Sequence, residues 1–359
     1  MSSVIGKFGT SIWLDDLSRA KITGTDKHSL PQRIKNDGVV GVTTNPSIFS
    51  AAISGSQDYA ADIASLSGAS VDEVITKLTT DDVRSACDLF TDIYKASNGV
   101  DGRVSIEVDP RSAHDTEKTI SEGKALFATI GRPNVMIKVP ATLEGLPAIT
   151  ALISAGISVN VTLIFSIERY DAVISAFMAG LEERIARGES IADIHSVASF
   201  FISRIDTAID PMLEKLGRSE LRGKAAVANA HLAYELFQSR RASQRWSEIA
   251  SHGGNMQRPL WASTGVKDPS YEDTRYVVEL VAADCVNTMP QSTLDALLDH
   301  GVVRGDTISS SIEASRAIIK EIEAAGVSIA QVTHDLEVDG VKKFADAWNS
   351  LLESVTGVM

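Results

Sequence analysis

Cysteine is nearly absent: the 359 residues include two, Cys87 and Cys285, far apart and in no metal-binding or redox spacing. A reduced, cytoplasmic setting fits such usage. Long apolar runs are missing as well. No uninterrupted stretch approaches the roughly 18–20 apolar residues of a membrane span, so no contact with a membrane is expected. The N-terminal segment Met1–Phe8 lacks the continuous apolar core of a secretory signal. Positive charge is scarce: 34 Lys and Arg stand against 47 Asp and Glu, a formal net charge of −13. A general nucleic-acid binder carries a basic footprint, so no nucleic-acid partner is expected. An anionic substrate then needs a local cluster of Arg or Lys to overcome the overall field. Nucleotide signatures are lacking too, since there is no GxxxxGK[ST] and no GxGxxG opening a helix after a strand. The seven histidines are scattered without HxH or HExxH spacing, which makes a metal site an unfavoured reading. Asn160-Val161-Thr162 fits a glycosylation acceptor but lies in an apolar run and is discounted.

What is present is globular: 44% of the residues are hydrophobic and 23% charged, enough for a sizeable core. Eight short runs read as strands: Ser11–Asp16, Val39–Asn45, Val104–Pro110, Val135–Ala141, Ile157–Leu163, Val197–Ser203, Pro259–Gly265 and Cys285–Pro290. Most are β-branched and bounded by Gly, Pro or Asn. Amphipathic stretches lie between them, among them Val71–Ala96, Ala113–Ile130, Ile167–Arg187 and Lys224–Ala250. Strands alternating with helices imply parallel pairing through right-handed crossovers. Eight such units predict a closed (β/α)8 barrel, the TIM-barrel form of the α/β class, with an open doubly wound sheet as the alternative. No linker divides the chain, so residues 1–359 are expected to form one domain with a C-terminal helical extension. The long insert at about Asp206–Gln257 is expected to be a helical pair on the outside, and Gly326 and Gly340 are expected to stop helices near the C-terminus.

One lysine sits in the middle of the fourth run, Asn134-Val-Met-Ile-Lys138-Val-Pro-Ala141. Lysine rarely goes inside unless it is paired or working. A snorkelling side chain or half of a buried ion pair is the plain explanation. The other strands weigh against it. In a parallel barrel the chemistry collects at the C-terminal strand ends, and polar residues recur there. Strand one ends in Asp15 and Asp16, and strand two offers Thr43 and Asn45. Strand three carries Ser105, Glu107 and Asp109 on one face, and strand five Asn160 and Thr162. Strand six offers Ser199, Phe201, Ser203 and then Arg204, and strand seven Trp261 and Ser263. Any one of these reads as a turn residue or helix cap. Six strands doing so around one lysine outweigh that reading.

A lysine among carboxylates, amides and hydroxyls is equipment for Schiff-base catalysis, in which a neutral amine attacks a ketone and the iminium draws electrons from a breaking C–C bond. Burial favours the neutral amine of Lys138, while Glu107 and Asp15 favour the charged one, and sequence leaves the balance open. Glu107 and Asp15 are the available acids and bases.

Taken together, Trp13-Leu-Asp15, Gly41-Val-Thr-Thr-Asn-Pro-Ser47, Val104-Ser-Ile-Glu-Val-Asp109 and Val135-Met-Ile-Lys-Val-Pro140 resemble the transaldolase family. So do Ile157-Ser-Val-Asn-Val-Thr-Leu163, Ser199-Phe-Phe-Ile-Ser-Arg204 and Trp261-Ala-Ser263, in order over roughly residues 11–290. The length and the form Trp261-Ala-Ser-Thr-Gly-Val-Lys267 resemble its longer bacterial branch, some of whose members carry a fused isomerase domain not expected here. The resemblance implies a (β/α)8 barrel, no metal and no cofactor. It implies transfer of a dihydroxyacetone unit from sedoheptulose 7-phosphate to glyceraldehyde 3-phosphate, giving erythrose 4-phosphate and fructose 6-phosphate. The partners are then phosphorylated ketose and aldose substrates. By resemblance Lys138 is the Schiff-base lysine and Asp15 the acid/base for the C4 hydroxyl. Glu107 assists carbinolamine dehydration through a water, with Thr162 beside it. Asn45 and Asn160 hold the three-carbon enamine, Thr43 and Ser199 line the pocket with Phe201 and Ser263, and Arg204 grips phosphate. Many relatives read Ala-Ser-Phe-Arg after strand seven, the arginine being a second phosphate contact. Here Lys267 is the expected substitute. Strand-one alternation favours Asp15 over Asp16 as the inward carboxylate. Two other functions stay in view. An aldolase of the same superfamily would release free dihydroxyacetone, but those relatives are shorter and carry tyrosine where Phe201 stands. A non-catalytic sugar-phosphate-binding barrel has no need of a buried amine.

Overall fold

Eight parallel strands close on themselves in chain order. They are β1 (Thr10–Leu14), β2 (Val39–Val42), β3 (Arg103–Glu107), β4 (Val135–Pro140), β5 (Val159–Ile164), β6 (Ser196–Phe201), β7 (Arg258–Ala262) and β8 (Cys285–Met289). The computed structural model describes residues 4–54 and 56–359, so Met1–Ser3 of the segment read for a leader lie outside the described residues. Pairing of β1 with β8 seals the barrel, which rules out the open sheet. Each expected strand is a real one, but several end earlier than expected. The run Ser11–Asp16 leaves the sheet after Leu14, Val39–Asn45 after Val42, and Val104–Pro110 after Glu107. The ladder frays through single bonds from Asp15 N to Met289 O and from Thr43 N to Leu14 O, each 2.9 Å. Helix caps then take over: Asn45 Oδ1 accepts from Ile48 N at 3.0 Å to start the helix Pro46–Ile53. Polar residues at these ends are therefore caps and wall residues at once.

Helix boundaries depart from the apolar period where a local signal intervenes. The expected helix Val71–Ala96 starts on a Ser70/Glu73 capping box but breaks at buried Phe90, giving Val71–Leu89 and Thr91–Ala96. Lys224–Ala250 splits into Ala225–Arg241 and Gln244–Ser251 because the Ser243 side chain caps the second piece. With Ser203–Lys215, the β6–β7 insert thus holds three helices rather than a pair. Gly326 takes a φ of 104° just beyond the helix Ile312–Ala324, as expected of a stop. Gly340 is no stop: it lies buried inside the C-terminal helix Ile329–Thr356. A Cβ there would sit 3.0 Å from Leu163 Cδ2 and 3.5 Å from Arg204 Nη1, so the missing side chain lets this helix lie close over the end of β5. The same helix also packs on Pro46–Ile53 and Ser203–Lys215 and so crosses the barrel's C-terminal mouth.

At the opposite end a guanidinium fills the barrel. Arg103 is fully buried, donates to Gly99 O at 2.6 Å, Pro133 O at 3.2 Å and Ser158 Oγ at 3.3 Å, and stands 4.9 Å from the Tyr94 ring centre. Both cysteines are free and buried, and burial pushes their thiols up. No helix among the described residues is long and apolar enough to cross a membrane.

Candidate active site

Sheet register brings the central residues to one level. Glu107 pairs with Lys138 across β3 and β4, and Lys138 pairs with Asn160 across β4 and β5. Three adjacent strands thus present a carboxylate, an amine and an amide side by side. Lys138 is 4% exposed; its Nζ donates to Thr44 O at 3.0 Å and stands 3.6 Å from Glu107 Oε2. That is an ion-pair separation rather than a hydrogen bond, and neither Glu107 oxygen has a hydrogen-bond partner. Burial pushes the Glu107 carboxyl up to about 7, against the pull of Lys138 and with a further push from Asp15. Two residues beyond Asn160 on the same strand face, Thr162 Oγ1 is also buried without a partner.

A cavity of about 100 Å³ opens onto the amine. Asp15, Thr43, Asn45, Ser199, Phe201, Arg204 and Ser263 line it with Lys138, and so do Ala262, Thr288 and Phe344. Asp15 accepts from Thr43 Oγ1 at 2.6 Å, and burial raises its carboxyl against the opposing effects of Lys138 and Thr43. Asp16 instead pairs with Lys21 at 3.0 Å, away from the cavity. Asn160 is oriented from both sides: its Nδ2 donates to Ser105 Oγ at 3.0 Å and its Oδ1 accepts from Ser199 Oγ at 2.7 Å. Asn45 spends its oxygen on the helix cap. Arg204 lies 5.2 Å over the Phe201 ring, its Nη1 buried without an acceptor. Burial lowers its pKa, opposed by Asp339. This guanidinium is an under-partnered charge on the cavity wall, of the kind that can hold an anion in a chain of net charge −13. Ser263 takes a left-handed φ of 56° and shares a hydrogen bond with Ser203 Oγ at 2.9 Å.

Lys267 is not brought to this cavity. It is exposed and lines a neighbouring cleft with Asp206, Asp210, Arg222, Asp268 and Tyr271. Three wall groups escaped the sequence reading. Thr288, on β8, shares a hydrogen bond with Thr43 Oγ1 at 2.6 Å and carried the same polar strand-end signal as the others. The Thr44 carbonyl and Phe344 carried none, for Phe344 reaches the amine from the C-terminal helix, 5.6 Å from ring centre to Nζ. Among the described residues no three His, Cys, Asp or Glu side chains gather into a metal-holding group.

Such an arrangement can form an imine at Lys138, move protons at Asp15 and Glu107, and hold an anionic group at Arg204. Known proteins resemble the chain over nearly its whole length. The family described as transaldolase/fructose-6-phosphate aldolase matches residues 12–355. The chain is 54% identical to a transaldolase of Renibacterium salmoninarum, over 99% of this chain and 95% of that one. It is 55% identical to transaldolase 1 of Streptomyces coelicolor, over 97% and 92%. A transaldolase of Parafrankia sp. is 51% identical, over 97% and 95%. Matched from the first barrel strand to the end of its last helix, the chain belongs to the transaldolase/fructose-6-phosphate aldolase family.

Proposed function

We propose that this chain is a transaldolase, a transferase that moves a dihydroxyacetone unit from sedoheptulose 7-phosphate to glyceraldehyde 3-phosphate, releasing erythrose 4-phosphate and fructose 6-phosphate. The observation that carries the reading is the lateral row Glu107–Lys138–Asn160, with Asp15 facing the same amine. Neutral Lys138 adds to the C2 carbonyl of the donor. Glu107, acting through a water near Thr162, supplies the proton with which the carbinolamine hydroxyl leaves. Its raised pKa suits a group that must both give and take a proton near neutrality. Asp15 removes the C4 hydroxyl proton as the C3–C4 bond breaks. Asn45 and Asn160 hold the resulting enamine, and the aldehyde acceptor enters by the reverse steps. Arg204 receives the phosphate. Thr43, Ser199, Phe201 and Ser263 shape the wall. Residues 1–359 act as one barrel domain, because the C-terminal extension supplies part of the wall through Phe344. The setting is the cytoplasm, with no nucleic-acid partner and no cofactor called for.

Borohydride trapping with fructose 6-phosphate, followed by peptide mapping, tests the core of this reading. A reduced three-carbon adduct on Lys138, absent from Lys138→Ala, is the expected result. No adduct on any lysine leaves only a barrel that binds phosphosugars. The aldolase alternative is decided by omitting the acceptor. Phe201 has no hydroxyl with which to deliver a proton to the enamine, so free dihydroxyacetone should appear slowly. Fast stoichiometric release sinks the transferase in favour of the aldolase.

A further inference from the structure

A second carboxyl stands behind Glu107. Glu122 projects from the helix Thr116–Ile130 toward the end of β3, where it accepts the Asp109 N–H at 2.9 Å through Oε1. Its other oxygen, Oε2, is buried and has no hydrogen-bond partner. Trp348 Nε1, from the C-terminal helix, is likewise buried and unpartnered. Glu107, Glu122 and Trp348 line one cavity of about 20 Å³, closed elsewhere by the apolar Pro46, Phe49, Ile106 and Leu126 and by Asn45, Thr76 and Thr79. A water molecule needs roughly 10–15 Å³ and two to four polar partners. Two carboxyls and an indole N–H around a space of that size meet both conditions.

We propose that Glu122 is a positioning residue for the transfer reaction: through a water in this cavity, anchored by Trp348 Nε1–H, it holds the proton that Glu107 spends. The proposal rests on the role given to Glu107 above. When the carbinolamine C–O bond breaks, the Glu107 carboxylic acid gives its proton, through the water near Thr162, to the departing hydroxyl, which leaves as water. The cavity water passes a proton to the Glu107 carboxylate and takes one from the Glu122 carboxylic acid. Glu107 is again protonated and Glu122 is the carboxylate. Hydrolysis of the product imine runs the same transfers backwards, so no proton is lost over a cycle. The two carboxyls are matched for this exchange, since burial pushes Glu122 as well as Glu107 up to about 7. The charged groups bearing on Glu122 are Asp109, which raises it, and Lys118 and Arg111, which lower it. Those bearing on Glu107 are Lys138 and Asp15. Arg111 is itself occupied by Asp109 and Asp72.

The test is the pH profile of the full-length enzyme carrying Glu122→Gln, which keeps an oxygen for the Asp109 N–H but cannot cycle a proton. The expected result is a KM for fructose 6-phosphate within about twofold of wild type and a kcat lower by about tenfold, less than loss of a direct general acid. The alkaline limb should move to lower pH, because without the Glu122 proton in reserve the step depends on Glu107 already holding its own. Trp348→Phe removes the water's anchor but not the carboxyl, and should move the same limb with a kcat loss of about threefold. An unmoved limb and unchanged kcat in a folded Glu122→Gln enzyme overturn the proposal and leave Glu122 as a cap for Asp109. Should Glu122→Gln fail to fold, an unmoved limb in Trp348→Phe overturns it instead. Wild type serves as the control on the underlying reading. If wild type yields no borohydride-trapped adduct, the Lys138 mechanism itself has failed, whereas a normal adduct with an indifferent Glu122→Gln removes only the relay.

Discussion

The two ends of the barrel both bury charge, and they treat it differently. At the base, Arg103 gives hydrogen bonds to two carbonyls and a serine hydroxyl. Arg258 pairs there with Asp101 at 3.1 Å, and Asp101 also accepts from Ser11 and Trp13. One guanidinium nitrogen of each arginine stays unpartnered, but each cation is held in a protein cradle. At the mouth, Lys138 has a single carbonyl acceptor, and both Glu107 oxygens, Thr162 Oγ1 and Arg204 Nη1 have no hydrogen-bond partner. Unmade bonds of this kind cost stability, and at the mouth Lys138 and Arg204 line the same cavity with Glu107 beside the amine. At the base each arginine spends most of its donors on the protein itself; at the mouth the amine and the carboxylate beside it keep most of their bonding capacity for a ligand.

Removing the amine breaks that contrast most severely. Lys138→Met should lower transfer activity by roughly a thousandfold or more, since no other amine lines the cavity and only an amine can form the imine. Its thermal midpoint should stay near that of wild type, because an under-bonded cation is lost while Glu107, left without its counter-charge, takes up a proton. Arg103→Met should do the reverse. Stranding the Gly99 and Pro133 carbonyls should cost roughly 2–4 kcal/mol in denaturant unfolding, while kcat per folded molecule stays within about twofold of wild type. If the Arg103 variant lost activity while keeping its stability, the division between the two ends would be wrong.

Glu107→Gln sharpens the comparison through pH. The loss in kcat should be about a hundredfold, as for an acid acting directly or through one water. The folded carboxyl is raised from 4.5 to about 7, so its contribution to stability is complete below pH 4.5 and lost as pH climbs through about 7. The variant should therefore gain on wild type in unfolding free energy between about pH 5 and about pH 8. Parallel curves would mean that Glu107 titrates no differently in the folded and unfolded chains.

Most of the fold and the centre of the site were legible because both rest on strand alternation. Buried β-branched runs between Gly, Pro and Asn marked each strand. The same period put Glu107, Asn160 and Thr162 on the inward faces and favoured Asp15 over Asp16, as the contacts with Thr43 and Lys21 now bear out. Alternation fails where the chain leaves the strand. Lys267 follows Ser263, whose left-handed backbone redirects the loop into the neighbouring cleft, and counting from β7 could not foresee that. Nor could any local pattern announce Phe344, which meets Lys138 only because a helix from the far end of the chain crosses the mouth. Gly340 read as a stop because glycine is costly inside a helix. Its real reason is a contact with Leu163 and Arg204, and that contact exists only in three dimensions.

Gly340 also sets the mildest test of how tightly the mouth is built. In Gly340→Ala the added methyl would lie 3.0 Å from Leu163 Cδ2, and Leu163 is buried on a left-handed backbone with φ of 62°. Leu163 therefore has little room to yield, and the C-terminal helix should shift instead. Alanine favours the helix by about 1 kcal/mol, whereas overpacking costs roughly 1–3 kcal/mol, so the net lies between no change and about 2 kcal/mol of destabilisation and the thermal midpoint should not rise. Function should register the shift more clearly, because Arg204 Nη1 lies 3.5 Å from the same point. The expected outcome is a KM for fructose 6-phosphate raised about threefold to fivefold with kcat nearly unchanged, since phosphate binding is perturbed and the row at Lys138 is not. A higher midpoint with an unaltered KM would show that the helix is free to relax away from Arg204. The C-terminal helix would then be a cover laid over the barrel rather than a wall of its site.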